Sequence, residues 1–196
     1  MDGKWYTDVL TGAVKRIVIS SSFVDIVEGV EQTFRVEKSF PAHCQLSAAQ
    51  CDSGDYMDLV PNDSKASIIY FEDNGSTLLE TKNNQYQFES SLRIVGWLNL
   101  KRFNVSGCSL SQYVVPQIIS VLPKSPFNNG NFHTIQLIGA SEAPKDANIF
   151  ARYTYDEPKT QYLMYPFDFF AIDLRVRFWT NKNCFTEFEQ IPQGQC

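Results

Sequence analysis

Residues 85–100 read Gln-Tyr-Gln-Phe-Glu-Ser-Ser-Leu-Arg-Ile-Val-Gly-Trp-Leu-Asn-Leu, and every even position except Ser90 and Gly96 carries a large apolar side chain. Side chains alternate across a sheet with period two, so this stretch predicts one long, half-buried strand. Tyr86, Phe88, Leu92, Ile94, Leu98 and Leu100 share its apolar face, with Gln85, Gln87, Glu89, Arg93, Asn99 and Lys101 on the polar one. Residues 167–180 repeat the logic near the end of the chain. There Phe170, Ile172, Leu174, Val176 and Phe178 fall on one side, against Ala171, Asp173, Arg175, Arg177 and Trp179 on the other.

The period changes elsewhere. Trp5, Val9, Ala13 and Ile17 recur every four residues with Leu10 and Val14 beside them, which predicts an amphipathic helix over 4–19. Ser20, Ser21 and Ser22 end it. Residues 23–27 and 33–36 read as short strands joined near Gly29. Residues 39–65 contain Pro41, Gly54 and Pro61 without steady periodicity and read as a long loop. The apolar runs Ile68-Ile69-Tyr70-Phe71 and Leu78-Leu79 flank Asp73-Asn74-Gly75, and Asn-Gly between apolar runs is the strongest short hairpin signal. With a second bend at Asn83-Asn84, three antiparallel strands are expected in succession.

After Asn104 a second helix is expected, with Ser109 as N-cap and Leu110, Val114, Ile118 and Leu122 as its stripe. Pro116 conflicts with that start, and either a kink or a start nearer Val115 would resolve it. Pro123 and Pro126 end the helix, Asn128-Asn129-Gly130 turns, and strands follow at 132–139, 148–156 and 167–180. The expected fold is one α+β domain over 1–196, mainly an antiparallel β-sheet flanked by two helices. It carries a strand and loop insertion at 28–65, a projecting hairpin at 66–84 and a C-terminal arm at 184–196.

Hydrophobic content of 43% and charged content of 20% are those of a globular domain. The net charge of −5 disfavours binding driven by phosphate neutralisation, although an acidic ring can surround DNA without gripping it. The N-terminus lacks a basic segment leading into an apolar stretch and so does not read as a secretory signal. No window approaches the ~20 apolar residues of a membrane span, so no membrane partner is expected. Five scattered cysteines, Cys44, Cys51, Cys108, Cys184 and Cys196, fit free thiols in a reducing cytoplasm better than a disulfide framework.

Little of this chemistry is catalytic. His43, Cys44 and Cys51 crowd together and His133 could complete a zinc set, but no Cys-x-x-Cys pair exists and free thiols are the commoner state. Asp52, Asp55, Asp58 and Asp63 do not match the alternating ligands of a calcium loop and read as a solvated acidic loop. Nucleophile elbows, phosphate loops and dinucleotide fingerprints are absent. Asp156-Glu157 reads as a turn before Pro158 rather than an acid and base pair. The expectation is therefore no catalytic residue, no metal and no organic cofactor. The aromatic cluster of Tyr153, Tyr155, Tyr162, Tyr165, Phe167, Phe169 and Phe170 suits stacking on sugars or bases, but packing of a sheet or subunit interface is favoured. Phe185, Phe188 and Ile191 follow the last strand, where little core remains to cover, and are expected to bury against a neighbouring subunit.

Ser91-Leu92-Arg93-Ile94-Val95-Gly96-Trp97-Leu98 before the second helix, and Ala171-Ile172-Asp173-Leu174-Arg175-Val176-Arg177-Phe178 as the last strand, set an order of helix, hairpin, long strand, helix and three strands. This order resembles the tail-terminator and neck-ring proteins of tailed bacteriophages over most of residues 4–181, with 28–65 as an addition. The resemblance implies a virion structural protein assembled in the host cytoplasm. It would form a homo-oligomeric ring, contact adjacent ring, portal or tail proteins, and surround a channel through which DNA passes without sequence-specific binding. Asn74 and Gly75 at the hairpin tip, with Phe185, Phe188 and Ile191 of the arm, are the candidate interface residues. The alternative reading is a receptor-binding or other carbohydrate-contacting module.

Overall fold

A computed structural model describes residues 26–29, 31–34, 39–44, 56–59, 61, 63–103, 109–122, 125–128, 134–145, 149 and 163–181. Its elements are β1 (Ile26–Gly29), β2 (Glu31–Phe34), β3 (Ser39–Cys44), β4 (Tyr56–Asp58), β5 (Ser67–Lys82), β6 (Gln85–Asn99), α1 (Ser111–Val121), β7 (Phe127–Asn128), β8 (Thr134–Glu142) and β9 (Phe167–Asn181). The main sheet has the order β1-β5-β6-β9-β8-β7, and β2-β3-β4 form a second, three-stranded sheet. Only β1 runs parallel to its neighbour; the other pairs are antiparallel.

The two strands with the clearest alternation lie at the centre. β6 and β9 pair without a register break from Gln85↔Asn181 to Asn99↔Phe167. Their even-numbered apolar residues make one core with β5 and the helix: Leu92, Ile94, Leu98, Phe170, Ile172, Leu174 and Val176 pack with Ile69, Phe71, Val114, Val115 and Ile118. Fully burying each such side chain contributes about 1.5–3 kcal/mol before ordering costs. Gly96 belongs to the same face, where Phe170 lies across it; a Cβ there would meet the ring at 2.2 Å.

The opposite face is not uniformly polar, as the alternation implied. From Val95 onward it is buried too, because Val95 and Trp97 join Leu59, Ile68, Tyr70, Ala143, Ile149, Phe169 and Ala171 in a second core. Asn99 is buried among them, its carboxamide donating to the Asp63 carbonyl at 3.4 Å and accepting from the Lys101 amide at 3.2 Å. A polar residue satisfied this way can be buried at little net cost.

Of the two turns expected here, only the second forms. The chain does not reverse at Asn74-Gly75; β5 runs straight through it as one strand of 16 residues. The reversal comes at Asn83 and Asn84, both at positive φ (45° and 64°), between the paired residues Lys82 and Gln85. Two left-handed residues in a two-residue loop make a type I′ turn, which matches the twist of the strands it joins. Asn84→Val removes a residue type that tolerates this conformation and is expected to lower stability by about 1–2 kcal/mol in urea unfolding, with Asn84→Gly unchanged or higher.

Residues 39–65 are not simply a loop, since β3 and β4 fall within them, and the short strands occur at 26–29 and 31–34. Among the described residues there is one helix; the one expected over 4–19 lies outside them, as does most of the strand expected over 148–156. In α1 the conflict over Pro116 resolves without a later start. Pro116 sits in the helix interior on its exposed side, while Ser111, Val114, Val115 and Ile118 face the sheet.

Candidate functional site

The distal half of β5 presents an open edge. β1 accompanies β5 only from Ile68 to Phe71, so beyond that point β5 has β6 as its single strand neighbour among the described residues. Residues 73–82 are all exposed. Open strand edges normally carry devices that discourage unwanted pairing, and this one has two bulges, at Asp73/Ser76 and Leu78/Glu80. The first is tied down by polar side chains. Gly75 takes φ +97°, its N–H donates to Asp73 Oδ1 at 2.8 Å, and the Ser90 hydroxyl donates to the Gly75 carbonyl at 3.0 Å. At the second, Leu79 is the extra residue, and Leu78 and Leu79 are 50% and 46% exposed. Two adjacent leucines half in solvent, on an edge with no further strand neighbour among the described residues, offer an apolar contact surface.

Asn74 and Gly75 therefore belong to a bulge on this edge rather than to a hairpin tip. Phe185, Phe188 and Ile191 lie outside the described residues, so no contact joins them to it here.

The second face of the sheet carries rows of charge above the second core. Register places Glu72, Arg93, Asp173 and Ser141 in one row across β5, β6, β9 and β8, and Glu89 opposite Arg177 in another. Arg93 grips Asp173 at two points, Nε to Oδ1 at 2.6 Å and an Nη to Oδ2 at 3.1 Å. That bond to Asp173 holds the Arg93 guanidinium above its ordinary pKa against the opposing effect of burial. Arg177 donates to Glu89 at 3.0 Å.

A third cluster fastens the helix to the sheet. Asp168, buried at the start of β9, accepts from the Ser111 amide at 2.8 Å and from the Ser109 hydroxyl at 3.3 Å through Oδ2. Its Oδ1 accepts from the Phe169 amide at 3.0 Å and from the Lys145 ammonium. Lys145 also donates to the Ser109 and Ser111 hydroxyls at 3.0 and 3.1 Å. Burial pushes the Asp168 carboxyl up, but Lys145 and the Ser111 amide together outweigh it and hold the pKa below the ordinary value. Ser109 is thus not the N-cap; Leu110 occupies that position without a side-chain cap bond, and Asp168 supplies the acceptor from 57 residues away. A serine and a lysine in contact suggest nucleophilic chemistry, but here the ammonium is engaged by a carboxylate and both hydroxyls, an arrangement that caps a helix.

Among the aromatic residues considered for stacking, Phe169 and Phe170 are core, Phe167 is half-buried and Tyr165 is 69% exposed; Tyr153, Tyr155 and Tyr162 lie outside the described residues. His43 and Cys44 fall on β3 and Asp58 on β4, whereas Cys51, His133, Asp52 and Asp55 lie outside the described residues. No three His, Cys, Asp or Glu side chains converge as a metal set among the described residues. No described helix is long and apolar enough to cross a membrane.

The arginines of β6 and β9 were visible as polar-face residues in the sequence, but which acid faces which depends on register. Asp168 and Lys145 carried no local signal, since their partners are remote in the chain. The chain matches no protein-family model and no curated protein.

Proposed function

We propose that the protein is a virion structural component, a ring-forming element of a bacteriophage neck or tail whose subunits meet along the distal half of β5. The observation that carries assembly is the exposed edge at 73–82 with Leu78 and Leu79 half in solvent. The phage setting comes from the order of elements and its resemblance to terminator and neck proteins.

In this reading the contact is head-to-tail, β5 of one subunit against a different surface of the next, which closes a ring when the rotation per subunit divides a full turn. The two bulges interrupt a continuous ladder, so Leu78 and Leu79 contribute apolar burial and the short segments between bulges set register. DNA passes through the channel without base readout. A net charge of −5 on each subunit gives no counterion-release gain that would slow its passage. Adjacent rings, portal or tail proteins contact the two ends of the ring, and the arm with Phe185, Phe188 and Ile191 reaches a neighbour.

Solution mass measurement and imaging of intact particles test the reading. Closed rings are expected, alone or on addition of a neighbouring virion component. Leu78→Asp with Leu79→Asp should abolish them while leaving the melting temperature of the monomer nearly unchanged, because both side chains are at the surface. A protein that stays monomeric and is absent from particles sinks the proposal.

A further inference from the structure

The charged rows on the second face of the sheet leave one guanidinium over. Arg93 lies opposite Glu72 and holds Asp173, and Arg177 holds Glu89. Arg175 sits between these rows, opposite Ser91 on β6 and Gly139 on β8, exposed and without an acidic partner among the described residues. β8 is cut low beside it. A bulge separates Leu137 from Gly139, the next residues are Ala140 and Ser141, and a Cβ added to Gly139 would stand 3.9 Å from an Arg175 Nη. The result is an open trough of about 540 Å3, walled by Asn74, Ser91, Arg93, Ser141, Asp173 and Arg175.

We propose that this trough binds a sugar acid, a single carboxylate carried on a ring with neighbouring hydroxyls. Arg175 presents a planar fork that matches a carboxylate at two points. Asp173 is an acceptor when ionised, so what lies beside it must donate, and the Ser91 and Ser141 hydroxyls serve either role. Charge selects a monoanion. One guanidinium is without an acidic partner among the described residues, while Asp173 on the wall and Glu72 behind Arg93 oppose the second charge of a phosphate. A neutral sugar leaves Arg175 unanswered, and a bare carboxylate leaves the hydroxyl partners unused. The site goes beyond the assembly reading; it shares only Asn74 with the proposed edge, and glucuronate binding is read on the full chain whether or not rings form.

Calorimetric titration of the full chain with glucuronate, glucose, acetate and inorganic phosphate tests it. Glucuronate should bind saturably, about tenfold or more tighter than each of the other three. Arg175→Gln should weaken glucuronate by about tenfold or more with the melting temperature unchanged, and Arg175→Lys, which keeps the charge without the fork, should lose most of the affinity as well. Absence of saturable glucuronate binding overturns the proposal. So does acetate or phosphate binding as tightly as glucuronate, or an Arg175→Gln variant that binds like the parent.

Discussion

Gly96→Ala is expected to lower stability by about 2–3 kcal/mol, because one added methyl overpacks the centre of the sheet. The position lies on β6 directly opposite Phe170 of β9, and the ring covers the glycine so closely that a Cβ would stand 2.2 Å from Cε1 and Cζ. Phe170 is 1% exposed and packed against the helix side of the core, so the ring cannot swing away without displacing its neighbours. In a domain of this size the change corresponds to a fall of roughly 4–12 °C in melting temperature. Phe170→Leu alone opens space and is also destabilising. Combined with Gly96→Ala it should cost less than the sum of the two, since the smaller side chain makes room for the methyl. A strictly additive double mutant, or an alanine variant with parental stability in urea, contradicts this account of the contact.

The second large effect is at Asp168. Asp168→Ala removes one carboxylate and strands the donors that converge on it: the Ser111 and Phe169 amides, the Ser109 hydroxyl and the Lys145 ammonium. Breaking a buried ion pair by removing one partner costs about 3–5 kcal/mol, and the 38% exposure of the Lys145 side chain places the expected loss near the lower end. Lys145→Ala should cost less, because its ammonium reaches the solvent edge and Asp168 retains its backbone donors. The pH dependence has a definite sign. The folded pKa is depressed, so the contribution is complete above the ordinary carboxylate value of about 3.9 and drains away as pH falls through the lowered folded value. Urea unfolding of the parent and of Asp168→Asn between neutral pH and strong acid checks it. The gap between them should narrow in acid, and a gap independent of pH excludes Asp168 as the titrating group.

β6 and β9 were legible as strands because fifteen residues of clean alternation outweigh any local exception. Their pairing was not, since alternation names the face of each residue but not its partner, and Arg93 fits any facing carboxylate until register sets it against Asp173. The helix stripe at Val114 and Ile118 was legible for the same reason as the strands. The bend expected at Asn83-Asn84 forms, whereas the one expected at Asn74-Gly75 does not, although Asn-Gly carries the stronger turn propensity. Tertiary pairing overrode it: β5 stays in register with β6 on both sides of Gly75, and the bulge absorbs the extra residue. Val95 and Trp97 read as exceptions on a polar face, yet they mark where that face becomes interior, a change that depends on what packs there. The candidate edge was half-visible. In the sequence Leu78-Leu79 is an apolar run flanking a turn, and only the end of β1 at Gly29, opposite Phe71, leaves it beside an open stretch of β5 among the described residues.

The strand order has a consequence for how the protein is made. β5 and β6 are sequence neighbours and can close as a hairpin as soon as Asn99 is available, but the other flank of β6 pairs only with β9. Roughly 70 residues of chain separate the end of one from the start of the other, which at ribosomal rates is about 3–14 s of synthesis. Throughout that interval Leu92, Ile94 and Leu98 belong to a strand with an unsatisfied side and an unfinished core. Nascent chains are therefore most exposed to mispairing before β9 emerges, and the two central strands meet late, through contacts of long sequence separation that slow folding.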